Sequence, residues 1–186
     1  MLKEALVFLL NVILQSFATI LLLRFHLQWL RAPMRNPIGE FVMAFSDFLV
    51  LRARRYIPAA GRYDTATLLC AWLVETLYLA LVAWLESGHF FSPLGFLVLA
   101  AVKLLSNSIY ILMTALFAQV VLSWINPYTP IAAVLNAITY RFLRPLRRFV
   151  PMIGNIDLSP MLLLVICQLL LILPVAMLEN FVLRLF

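Results

Sequence analysis

Polar and apolar residues alternate along this chain on a long scale. Four apolar runs, at about 5–29, 65–85, 93–124 and 160–183, are each long enough to cross a bilayer as a helix. Two shorter stretches between them have helical spacing. Ile38, Phe41, Val42, Phe45, Phe48 and Leu49 recur every three or four residues opposite Glu40 and Asp47, and Ile131, Val134, Leu135, Ile138 and Phe142 repeat the pattern. Each stretch is too short to span and reads as an amphipathic helix lying in the membrane interface. Asn36-Pro37 opens the first of them, and Asn126-Pro127 with Pro130 precedes the second. Gly88, Ser92 and Pro93 predict a turn, with Ser92 as cap and Pro93 in the first turn of the third span. That third run exceeds what a bilayer requires and should tilt or project. Pro174 predicts a kink in the fourth.

The polar punctuation is written twice. Arg54-Arg55-Tyr56-Ile57-Pro58-Ala59-Ala60-Gly61-Arg62-Tyr63-Asp64 recurs as Arg147-Arg148-Phe149-Val150-Pro151-Met152-Ile153-Gly154-Asn155-Ile156-Asp157, at one separation (147 − 54 = 157 − 64 = 93). Pro37-Ile38 maps onto Pro130-Ile131 at that separation, and Trp29 onto Trp124 with two further residues. The predicted fold is therefore an all-α polytopic membrane protein, a single membrane domain over 1–186. It has four transmembrane helices in two tandem repeats, about 4–86 and 94–184, each with one short amphipathic interfacial helix. Two spans per repeat keep the copies parallel, related by a pseudo-two-fold axis along the membrane normal.

The duplicated elbow has a physical logic. Paired arginines at a membrane boundary, Arg54-Arg55 and Arg147-Arg148 with Arg144 beside them, can reach lipid phosphates with forked donors. Pro58 and Pro151 stop the preceding segment, and Gly61 and Gly154 allow a tight turn back. Asp64 and Asp157 stand just before the next apolar run, where a carboxylate caps exposed N–H groups; Ser159 competes as a cap, with Pro160 just inside. An Asp–Arg bridge within the elbow is an alternative use of the same residues. A stop-transfer flank plus a helix cap explains each residue singly. The array occurring twice favours a headgroup- or partner-docking surface.

Composition agrees with the pattern. At 65% hydrophobic and 12% charged, the chain has too much apolar surface for a soluble domain of 186 residues. Six of its 14 Lys and Arg lie within 31–62 and four within 141–148, whereas 86–93 has none. The positive-inside rule then puts both basic loops in the cytoplasm and both termini outside, in a bacterial inner membrane. The first run lacks a small-residue cleavage site and reads as a retained span. A net charge of +6 so distributed reports topology and attraction to anionic phospholipids, and no nucleic-acid partner is expected. Cys70 and Cys167 do not align between the repeats and receive neither a disulfide nor a redox role.

These motifs resemble the YggT/YlmG family. The doubled Arg-Arg-h-h-Pro-x-x-Gly-x-x-Asp (h apolar or aromatic), the Leu143-Arg144-Pro145-Leu146-Arg147-Arg148 run, Asp157-Leu158-Ser159-Pro160 and Ser123-Trp124 carry the likeness across nearly the whole chain. The chain departs from the family pattern at Tyr140-Arg141, where Asp-Pro is usual, and at Phe48 and Arg52, where prolines are common. The resemblance implies a small integral membrane protein without established catalysis. It implies links to osmotic or ionic stress tolerance and cell division in bacteria, and to nucleoid distribution and cytochrome b6 haem attachment in plastids.

Within the apolar runs, Glu75 falls near mid-membrane, where a carboxylate must be protonated, paired or wetted. Gln168 is its counterpart at the same separation, so both are expected to face the bundle interior. Lys103, Asn11, Gln15 and Asn107 are the candidate partners. A helix–helix hydrogen-bond cluster is the plain reading and a proton- or cation-binding patch the functional one. His26 and His89 are expected at opposite faces, which excludes a shared haem, and the sequence offers no metal spacing, phosphate loop or nucleophile–base set. No cofactor and no enzyme are expected. The sequence favours a non-enzymatic scaffold or assembly factor for partner membrane proteins and anionic lipids, acting through homo-oligomers. The alternative is a small oligomeric ion or osmolyte channel.

Overall fold

The structure, a computed structural model, describes residues 1–58, 63–88, 92–126, 128–149 and 157–185. Its regular elements are helices. Four are long and apolar enough to cross a membrane: α1 (Leu2–Trp29), α3 (Thr65–Ser87), α4 (Pro93–Ile125) and α6 (Ser159–Leu185). Two shorter ones, α2 (Pro37–Ala53) and α5 (Pro130–Leu146), precede α3 and α6 and have the same 17-residue length.

Local chemistry sets the ends. Asn36 accepts from the backbone N–H groups of Ile38 and Gly39 at 3.0 Å, and Pro37 occupies the first turn, where its missing N–H costs nothing. Thr129 with Pro130 does the same for α5, accepting from Ala132 at 3.3 Å. Asp64 caps α3, and Gly88 in the left-handed region (φ 70°) ends it. Ser92 precedes α4 as expected but makes no side-chain cap. Pro174 does not simply kink α6. It sits in a wider π-helical turn, Leu171–Val175, because a residue without an N–H cannot close the ordinary hydrogen bond. A second π-turn, Asn11–Gln15 in α1, contains no proline.

α4, at 33 residues, is about 50 Å long, against about 30 Å of hydrocarbon. It packs on α1, α3, α5 and α6 and so forms the hub of the bundle. One apolar cluster joins the two halves through Leu27, Val42, Ala115, Val134 and Ile138. A second (Leu21, Leu22, Val50, Ala71, Leu104) belongs to the first half with α4, and a third (Leu116, Leu143, Leu163, Cys167) to the second half. The outer faces of the spans stay apolar, with Phe8, Leu73, Phe117, Val165 and Phe181 among many exposed residues. Water would penalise that surface and lipid would not.

Of the two short helices, α2 departs from its predicted stripe. Along α2, Gly39, Val42, Ser46 and Val50 face inward, while Phe41, Phe45 and Phe48 are about half exposed. The small and polar positions are buried because α2 lies close against α1, leaving the aromatic edge outward. In α5 the expected stripe does face inward: Val134, Leu135 and Ile138 are buried, together with Thr139 and Leu143.

Gly39 is needed where α2 meets the segment that leads into it, since a β-carbon there would fall on the Met34 carbonyl, 2.8 Å from its carbon. Gly39→Ala should lower the detergent-solubilised protein's stability by about 1–3 kcal/mol, whereas Ala132→Gly at the matching position of α5 should cost no more than about 1 kcal/mol. Equal melting temperatures for Gly39→Ala and the parent would refute the contact.

Candidate functional site

The candidate residues gather in two places, the basic end of the bundle and a polar pocket among the spans. At the basic end, the Arg54 guanidinium reaches Asp64 (2.5 Å) across the elbow, and Arg147 reaches Asp157 (2.8 Å) across the other. Asp64 also accepts from the Thr67 hydroxyl (2.5 Å) and caps α3 through the Thr67 N–H (3.4 Å). The predicted cap and the predicted bridge are thus one carboxylate. Asp157 accepts from the Ser159 N–H (2.9 Å), so it, rather than Ser159, serves the start of α6. The Ser159 hydroxyl is buried without a hydrogen-bond partner among the described residues, and Pro160 lies in the first turn. The Pro58 carbonyl accepts from the Thr65 hydroxyl (2.7 Å), which ties the elbow to α3. Gly61, Pro151 and Gly154 lie outside the described residues.

Both elbows lie at one end of the bundle. With its amide oriented to suit both neighbours, Gln28 donates to Asp64 (2.7 Å) and accepts from Arg54 (3.1 Å). Next to it, the Arg141 guanidinium stands 5.2 Å above the Trp29 ring. The end of α1 therefore touches the first elbow and the α5 segment leading to the second. Arg55, Arg144 and Arg148 project outward, with no carboxylate partner among the described residues.

Burial would raise both elbow carboxyls. Hydrogen bonds from Arg54 and Thr67, with the Arg54 charge, outweigh it at Asp64; bonds from Ser159 and Arg147, with the Arg147 charge, do so at Asp157. Both sit below the ordinary carboxylate value.

In the bundle, Glu75 is 1% exposed near the middle of α3. With the Gln15 amide oriented to satisfy its neighbours, its nitrogen donates to both Glu75 oxygens (3.3 and 3.2 Å), and its oxygen accepts from Asn107 (3.0 Å). These groups line a pocket of about 430 Å³ together with Asn11, Lys103 and Glu179, so all four long helices contribute. Both π-turns also border it, through Asn11 and Gln15 on one side and Leu171 and Val175 on the other.

Two expectations are corrected here. Gln168 does not join Glu75: it is exposed on α6, where Ser159, Leu163 and Cys167 form a narrower inward stripe. α3 packs on α1, α2 and α4, whereas α6 packs on α4 and α5, so the matching face of α6 has no neighbour to cover it. Lys103 lies not on Glu75 but on Glu179, at 2.5 Å.

Arg24 is not among the residues that the sequence patterning singles out. Arg24 is 3% exposed, held by Ser46 (2.6 Å) and Asp47 (2.8 Å) of α2. A charge inside an apolar run was the available signal, since it demands a partner. Glu179 was also readable, for it matches Glu86 at the motif's own separation (179 − 86 = 93).

These helices, apolar on their outer faces and with most of their buried polar groups paired inside an apolar core, make the chain a small helical membrane protein. Comparison narrows the class: the CCB3/YggT family matches residues 3–85 and 98–178, and the chain belongs to that family. It is 31% identical over 168 residues to the Escherichia coli K12 protein YggT, covering 88% of this chain and 85% of that one. An uncharacterized Pseudomonas aeruginosa protein is 32% identical over 164 residues (86% and 82% of the two chains). A Vibrio alginolyticus protein, named for the proC 3′ region, is 29% identical over 160 residues (85% and 86%). No solved structure matches the chain.

Because the two elbow carboxyls sit below their unfolded value, they contribute stability above about pH 4 that is lost as pH falls through their folded values. The parent should lose thermal stability on acidification below that point, and a double Asp64→Asn, Asp157→Asn variant should show a flatter acid limb. Superimposable profiles for the two proteins would remove these pairs from the account of stability.

Proposed function

We propose that the protein is a non-enzymatic scaffold of the bacterial inner membrane. Its basic end faces the cytoplasm, with both termini outside, and gathers anionic phospholipids and partner membrane proteins, among them further copies of itself. One observation carries this reading. Each elbow commits one arginine to an aspartate, which fixes the turn, and leaves neighbouring arginines free at the same end of the bundle. Arg54 and Arg147 shape the corners; Arg55, Arg144 and Arg148 offer forked donors to phosphate or carboxylate. The exposed apolar flanks of the spans suit lipid and other helices equally.

In this reading the chain is a tandem duplication, each copy carrying its own corner and a short helix at the interface. Matched interactions support it. The Asn36 and Thr129 caps, the 17-residue short helices and the two arginine–aspartate pairs all recur at the motif's separation. Beneath them, Arg24 donates to Ser46, and Thr139 donates to Gln119 at 2.5 Å. Ser46 and Thr139 match at the same separation (139 − 46 = 93), and Arg24 and Gln119 at that of the tryptophans (119 − 24 = 124 − 29 = 95).

The combined Arg55→Gln, Arg144→Gln, Arg148→Gln variant should bind anionic vesicles more weakly by about 1 kcal/mol per arginine, with neutral vesicles unaffected. It should also retain fewer co-purifying membrane proteins in mild detergent. Undiminished binding on both counts would exclude the elbows as a docking surface.

A second reading, a small ion or osmolyte pathway, draws on the Glu75 pocket, which Glu75 and the Lys103–Glu179 pair line together among the spans. Its demand is explicit. Glu75→Gln should abolish cation flux into proteoliposomes while the protein stays folded, and flux equal to that of the parent, or absent from both, would exclude this pathway.

A further inference from the structure

At the basic end, a pocket of about 570 Å³ opens between the end of α1 and one face of α5. Its lining includes Gln28, Trp29, Arg31, Asn136, Tyr140 and Arg141. Arg31 and Arg141 are its only charged members, and neither has a carboxylate partner among the described residues. Asp64, which follows the lining residue Tyr63, is already engaged by Arg54, Gln28 and Thr67. Aromatic rings flank the arginines, as they do where a side chain must sit at headgroup depth.

Arg31 stands in an unusual backbone state. The Arg31 N–H bonds to the Gln28 carbonyl (3.1 Å) and the Ala32 N–H to the Leu27 carbonyl (2.8 Å), closing the end of α1 through a left-handed residue. That residue is Arg31, at φ 55°, and among the described residues no other non-glycine has a positive φ. Glycine is the ordinary occupant of this position, and helix termination needs no guanidinium there. A strained residue held over a basic pocket points to a use for its side chain. Arg141 is fixed independently, by the Trp29 ring beneath it.

We infer that this pocket binds the phosphate of an anionic glycerophospholipid headgroup, gripped between Arg31 and Arg141 with the Asn136 amide and the Tyr140 hydroxyl alongside. A basic recess at the inner end of a transmembrane helix, here closed by the short helix α5, is the setting in which anionic headgroups are held. The site lies between the end of α1 and α5, bordered by Tyr63 of the first elbow, so a lipid there would bridge the two halves. The inference rests on the reading that this end faces the anionic leaflet, but not on the elbow arginines.

The test is native mass spectrometry of the full chain in detergent, titrated with phosphatidylglycerol, with phosphatidylcholine and inorganic phosphate in separate arms. Arg31→Gly should keep the turn, because glycine suits the left-handed position, and should melt no lower than the parent. Its phosphatidylglycerol affinity should nevertheless fall about fivefold, and that of Arg141→Gln likewise. Losses confined to the elbow variant would overturn the pocket while leaving the scaffold reading intact. Equal binding of phosphatidylcholine, or displacement of the lipid by inorganic phosphate alone, would also overturn it.

Discussion

A guanidinium buried in the first span is the constraint from which much of the remaining architecture follows. Arg24 cannot be left uncompensated in an apolar bundle, because an unpaired charge there costs several kcal/mol. Asp47 supplies the charge and Ser46 a further acceptor, and both lie on α2. The short helix is thus fastened to the flank of α1. Gly39 is bare of a side chain because α2 presses against the segment that leads into it. Where α2 ends, Arg54 arrives beside Gln28 and Asp64, and the elbow forms at the foot of α1.

That arrangement gives the arginines two kinds of work. Those matched by a carboxylate, Arg24, Arg54 and Arg147, fix backbone, and little of their field is left over for a ligand. Those without one remain available. The division does not follow from depth alone, for Arg54 and Arg55 are adjacent in sequence and only the first meets an aspartate. It follows from helical phase at the end of α2. A basic count by itself therefore overstates how much positive charge the end of the bundle offers to lipid.

Several features were legible in the sequence because their physics is local. Span lengths, the prolines that open α2, α4 and α5, and the carboxylate that caps α3 depend on nearest neighbours along the chain. The elbow bridges were readable as an alternative because ten residues and a turn bring the partners together. What could not be read depends on which faces find neighbours. Phe41 and Phe45 have the same period as Val42, yet only Val42 is buried. Gln168 matches Glu75 in register and not in environment, since no helix covers its side of α6. Lys103 had two carboxylates within reach of a four-helix bundle, and only the placement of α6 against α4 selects Glu179.

The differences between the halves carry as much information as their likeness. If the duplication proposed above is right, the interactions that hold the corner and the short helix have kept their geometry while their charges diverged. Arg24 with Ser46 and Asp47 in one half corresponds to Gln119 with Thr139 in the other, where a neutral hydrogen bond does the same fastening. A neutral pair pins the short helix of the second half, whereas in the first half the buried charge makes the same fastening obligatory. The interior polar groups are shared: Gln15 and Glu75 come from the first half, and the second contributes Lys103, Asn107 and Glu179 to the same pocket. Two copies related by a rotation would be expected to give two equivalent pockets. Among the described residues the face of α6 that would build the second is left uncovered, because no further helix packs on it as α1 packs on α3.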